Sequence, residues 1–166
     1  MTSAKLAVIG ILVFAAIANA QDVKRPAPAP QEQRAESFKP DLGDIMTIMQ
    51  LRHLKLAFAG SLANWSLAGY EVAEMQKSFE ATATMFPEFG NVPIARLIER
   101  ISKPELKKIE EAIRNRDKVA FSAALRSLTA ACNSCHESSN VEFIVIRIPT
   151  SSPFSNQLFA PLPTRN

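Results

Sequence analysis

Both cysteines of the chain fall within one five-residue string, Cys132-Asn133-Ser134-Cys135-His136. Two thiols three residues apart, followed at once by an imidazole, form the attachment pattern for covalent haem c. Each S–H adds across one vinyl C=C of the porphyrin. A C–S bond forms, the hydrogen goes to the neighbouring carbon, and no oxidant is needed. The imidazole of His136 is then held beneath the iron as its axial ligand. A haem tethered in this way carries electrons or binds a small gas.

Three other chemistries use the same residue types, and each fits the surrounding sequence less well. A thiol oxidoreductase places its Cys-x-x-Cys at a helix N-terminus, where the dipole favours thiolate. Here the pair falls near the end of a helical pattern. A zinc site could draw on Cys132, Cys135, His136 and His53, but adjacent Cys135 and His136 suit one tetrahedral ion poorly. A disulfide between residues three apart in a helix would be strained.

The elements that must position the string are helical. Asp41 is a good N-cap for a first helix ending near Gly60. At 100° per residue, Leu42, Ile45, Met46, Met49, His53, Leu56, Ala57 and Gly60 share one face. Leu51, Leu54 and Phe58 form a second apolar stripe that requires a cover, either a subunit partner or the chain's own C-terminal segment. A second helix is expected from about Asn64 to Met85, with Trp65, Val72, Met75 and Phe79 inward and Glu71, Glu74, Lys77 and Glu80 on the wet side. The third is expected to break. Pro93 starts a short piece, and Ser102 with Glu105 fits a capping box for a restart that runs to Asn115. The fourth starts at Asp117, buries Phe121, Leu125 and Leu128, and delivers Cys132 and Cys135 in its last turn. Cys132, Cys135 and His136 therefore share one side of a helix. The expected fold class is all-α, an up-down antiparallel four-helix bundle over residues 41–136.

Outside the bundle, residues 1–20 read as a cleavable secretory signal: Lys5, an apolar run too short to span a bilayer, then Ala18-Asn19-Ala20. Export suits haem c, which bacteria attach outside the cytoplasmic membrane, so the expected location is the periplasm. No membrane span is expected in the mature chain. Residues 21–40, with Pro26, Pro28 and Pro30, read as a disordered Pro-rich leader. Loss of Lys5 with the signal takes the formal charge from +3 to +2, and charges of both signs are interspersed. That balance argues against a nucleic-acid partner. The tail, residues 137–166, contains a β-branched run ended by Pro149 and is expected as an extended strap packed on the bundle.

An exported helical domain with Cys132-Asn-Ser-Cys135-His136 closing its fourth helix resembles the cytochrome c′ family and its low-spin relatives, over residues 41–136. The resemblance implies a four-helix bundle, a homodimer through the first two helices, one covalent haem c and His136 as proximal ligand. It also implies that the distal side of the iron faces the first helix. An Arg-Gln pair is common there, its arginine near a haem propionate. Arg52-His53 stands in that place, making Arg52 a candidate propionate contact, with a solvated surface arginine as the alternative. The long tail and the histidine on the distal helix depart from the family pattern.

The sixth ligand separates the functions. His53 is the other histidine of the chain and faces the bundle interior. Iron ligation by His53, ligation through the thioether of Met49 or Met46, and an open site all remain candidates. Two strong axial ligands suit an electron carrier with periplasmic redox partner proteins. An open distal face suits binding of nitric oxide or carbon monoxide. A peroxidase-like enzyme would need an acid–base partner for His53, and none is marked, so the expected role is not enzymatic. Electron transfer is the principal reading and gas binding its alternative.

Overall fold

The structure, a computed structural model, describes residues 39–163. The secretory signal expected at residues 1–20 and nearly all of the leader lie outside the described residues. Those described are helical, with four main helices and no strand; a lone bridge joins Phe89 and Val92.

Helix α1 (Leu42–Ser61) starts where Asp41 and Asp44 cap each other. The Asp41 carboxylate accepts from the Asp44 N–H at 2.8 Å, and the Asp44 carboxylate accepts from the Asp41 N–H at 3.0 Å. Two of the helix's four orphan donors are satisfied in this reciprocal pair. Its far end closes on Ala63, whose φ of 59° turns the chain left-handed. Asn64 then accepts from the Leu67 N–H and opens α2 (Trp65–Met85).

The third rod differs from its expected form. Rather than a stop and a capped restart, α3 (Ile94–Leu97) passes through a π-helical turn (Ile98–Ser102) into α4 (Lys103–Arg114). Ser102 makes no side-chain cap and keeps helical dihedrals, so the Ser102–Glu105 capping box does not form. The reason lies in Pro104, which has no N–H and whose ring would crowd the carbonyl four residues back. Widening the preceding turn, with the Lys103 N–H reaching back to Ile98, carries the chain past the proline without leaving the helix. Helix α5 (Lys118–Ser138) begins at Asp117, whose carboxylate accepts from the N–H groups of Val119 and Ala120.

Helix α1 lies along α2, α4 lies along α5, and the two pairs meet through α2 with α4 and α1 with α5. Leu56, Met75, Leu106, Ile109 and Leu128 are fully buried where these faces meet. Gly60 permits the close approach of α1 to α5. A Cβ there would stand 2.0 Å from the Phe121 ring, which also packs edge-on against Trp65 at 6.0 Å.

One side chain of α2 departs from its expected wet side. Glu71 is buried, because α2 packs on both α1 and α4 and so hides a wider arc than one apolar stripe. The charge is matched by Arg52 of α1, whose Nη1 donates to Glu71 Oε2 at 2.9 Å. Glu74 lies 3.6 Å from the same guanidinium, and the Tyr70 ring sits 5.6 Å beneath it.

Beyond Ser138 the chain forms no further helix or strand as far as residue 163. Asn140, in the left-handed region at φ 57°, ends α5, and the Val141 N–H returns to the His136 carbonyl. Farther on, Phe159 is buried, its ring 5.4 Å from Phe58 of the second α1 stripe. Asn64 donates to the carbonyls of Phe159 and Ala160. Leu51, in that same stripe, stays 44% exposed.

Two substitutions test this packing in urea unfolding. Gly60→Ala must displace Phe121 and is expected to cost about 2 kcal/mol, as overpacked cores do. Arg52→Met leaves Glu71 buried without its cation and is expected to cost about 3 kcal/mol. A loss under about 0.5 kcal/mol, the size of an ordinary surface substitution, would contradict either assignment.

Candidate functional site

The last two turns of α5 form one wall of a cleft of about 390 Å³, and Cys132, Cys135 and His136 all line it. Helix α1 also lines it, through Met46, Met49 and His53. Met75, Phe79 and Thr82 of α2, Ile94 and Ile98 of the broken rod, and Val141, Ile144 and Ile146 of the tail line it too. Cys132, Cys135 and His136 thus share a single cavity with Met46, Met49 and His53, some eighty positions away in sequence. Its volume lies within the usual range for cofactor sites, roughly 300–1,000 Å³. Among the described residues, no Lys, Arg, Asp or Glu lines it. It suits a large apolar ring, and any anionic group on such a ring would have to emerge at the mouth.

Arg52 is not among the lining residues. Its guanidinium is held between Glu71 and Glu74, so the geometry gives Arg52 a different partner from the propionate expected of it.

The thiols are free and poorly suited to nucleophilic work. Burial, and then the neighbouring Cys135, pushes the Cys132 thiol up to about 11. Burial also raises Cys135, against a bond with Ser139 that pulls the other way. A catalytic dithiol requires the opposite shift. Among the described residues, no three His, Cys, Asp or Glu side chains come together as a metal-holding group, so the zinc alternative lacks its donor set. A porphyrin brings four equatorial nitrogens of its own and asks the protein only for axial ligands.

The two histidines are fixed differently. His136 Nδ1 lies 2.6 Å from the Ile144 carbonyl. A carbonyl can only accept, so Nδ1 carries the proton and Nε2 is left as the donor atom for a metal. This is the arrangement that orients ligating histidines in metal sites generally. His53 is 3% exposed, and its Nε2 lies 2.8 Å from Thr129 Oγ1. Thr129 in turn donates to the Leu125 carbonyl at 2.8 Å, one helical turn back on α5. With the hydroxyl proton so placed, Thr129 accepts from His53, and Nδ1 of His53 keeps its lone pair.

Sequence reasoning did not single out Thr129, Asn133 or Ile144. A threonine inside the apolar stripe of α5, facing a helix whose stripe holds a histidine, was the available signal for the first. The middle positions of the attachment string are free in type, so nothing marked Asn133. The carbonyl of Ile144 is a backbone group that any residue would supply.

Burial lowers the His53 imidazole from 6.5 to about 4. Between those values the unfolded chain holds a proton that the folded chain rejects, so stability rises with pH. The contribution is complete above about pH 6.5 and is lost as the pH falls towards 4. The whole span is worth up to about 3 kcal/mol. Urea unfolding of the wild type and His53→Gln should show a stability difference that shrinks across this window. A difference independent of pH would mean that His53 is not held neutral.

Comparison with protein-family models, with curated proteins and with solved structures finds no match for this chain.

Proposed function

We propose that this protein is a periplasmic monohaem c-type cytochrome that works as an electron carrier. The observation that carries this reading is the shared cleft, lined by Cys132, Cys135 and His136 of α5 and by Met46, Met49 and His53 of α1. In the proposed holoprotein, Cys132 and Cys135 would hold the porphyrin through thioethers, and His136 Nε2 would ligate its iron. Bound there, the haem would supply one-electron chemistry. The residues around it would have three tasks. The methionines, isoleucines and Phe79 would exclude water, the Ile144 carbonyl would orient His136 through Nδ1, and α1 would limit what reaches the iron.

Several finer features belong to the same reading. The helices run up and down, as in the cytochrome c′ family that the chain resembles, and the Pro-rich leader follows a cleaved signal. The tail acts as a strap, supported by the packing of Phe159 on Phe58 and by the place of Ile144 and Ile146 in the cleft lining. Partners are periplasmic redox proteins and a second copy of the chain. No described helix is long and apolar enough to cross a membrane.

Gas binding is the second reading, and one observation favours it. His53 Nε2 is committed to Thr129, and ligation through that nitrogen would require breaking the bond. An iron left open on that side would take up carbon monoxide or nitric oxide against the apolar α1 wall.

Optical spectra of the oxidised and reduced holoprotein, with and without carbon monoxide, separate the two. The carrier reading expects low-spin spectra indifferent to the gas; a high-spin ferric form that binds it would establish the second reading instead. Repeating the spectra with His53→Ala, Met49→Ala and Met46→Ala identifies the ligand as the residue whose loss converts the iron to high spin.

A further inference from the structure

Asn133 occupies a free position of the attachment string, yet it makes two hydrogen bonds to a residue thirteen positions away. Its Nδ2 donates to the Ile146 carbonyl at 3.0 Å, and its Oδ1 accepts from the Ile146 N–H at 2.8 Å. The side-chain amide thus pairs with both polar groups of one tail residue, as a neighbouring strand would. Ile146 is buried against the cleft, so neither of its groups could be left unpaired without penalty. Two residues earlier in the same irregular segment, the Ile144 carbonyl lies 2.6 Å from His136 Nδ1. Between these points the chain has no helix or strand to set its register.

We infer that Asn133 is a positioning residue for His136: by clamping Ile146 it fixes the tail in the register that brings the Ile144 carbonyl to Nδ1. This inference rests on the haem reading and extends it. Asn133 does not touch His136 through a bond of its own; it acts through the backbone of residues 144–146. A donated Nδ1–H makes the imidazole a stronger electron donor at Nε2 and holds its ring plane fixed. A stronger axial donor favours the ferric state and lowers the reduction potential. The tail therefore belongs to the tuning of the site as well as to its covering, and the string itself carries the group that recruits it.

The test uses the full-length holoprotein. In the wild type, the Ile146 amide should resist hydrogen exchange although it lies outside any helix. In Asn133→Ala, that exchange should speed up about tenfold, the size expected from loss of the clamp's hydrogen bonds. The midpoint potential should rise, and the His136 Nδ1–H resonance should broaden or exchange faster. Ser134→Ala, which alters the other free position of the string without touching the tail, should move none of these. A purely structural Asn133 would lower thermal stability and leave the potential unchanged, which would overturn the inference. Open-loop exchange at Ile146 in the wild type would overturn it without any variant. A protein that carries no haem overturns the underlying reading, whereas a haem-bearing protein whose potential ignores Asn133→Ala overturns this inference alone.

Discussion

The site depends on α5 and α1 together lining one cleft to which no described Lys, Arg, Asp or Glu contributes. Helices in a small bundle are held by apolar faces in mutual contact, packed to near-crystalline density. Phe121 of α5 lies against Gly60 of α1 and against Trp65 of α2. Farther along α5, side chains of α5 and α1 line a shared cavity. The stripe of Phe121, Leu125 and Leu128 carries Cys132, Cys135 and His136 onto the wall of that cavity.

Polar groups near that wall are handled one at a time. His53 is neutral and engaged with Thr129, whose hydroxyl donates to the Leu125 carbonyl. His136 donates from Nδ1 to the Ile144 carbonyl, and Asn133 satisfies both groups of Ile146. Arg52 does not line the cleft and is held instead by the buried Glu71 of α2. Among the described residues the lining is mainly apolar, with Thr47, Gln50, Thr82, Ser102 and Ser139 as its uncharged polar members and no Lys, Arg, Asp or Glu. Such a medium shields a metal from water and leaves the choice of axial ligand to very few atoms.

Much of this was legible in the sequence because it rests on local rules. Asp41, Asn64 and Asp117 cap their helices as their side chains dictate, and the inward stripe of α1 follows from a 3.6-residue period. The convergence of Cys132, Cys135 and His136 follows from i, i+3 and i, i+4 spacing. What was not legible depends on partners distant in the chain. Glu71 looked solvated because its period places it beside Glu74 and Lys77, and only Arg52 across the interface makes its burial tolerable. The passage from α3 to α4 shows a local conflict settled in an unexpected way. Pro104 demanded an interruption, and a widened turn met that demand without the cap that Ser102 and Glu105 suggested. The course of residues 141–163 is written in single contacts, Asn133 to Ile146 and Phe58 to Phe159, which leave no periodic trace.

The account stands on covalent capture of a porphyrin by the two thiols, and mass measurement of the denatured polypeptide addresses it most directly. Expressed with haem-ligation machinery, the mature chain should retain the mass of one haem after denaturation. Cys132→Ser combined with Cys135→Ser should abolish that added mass. A wild-type chain that emerges colourless at its apoprotein mass would contradict the account at its root.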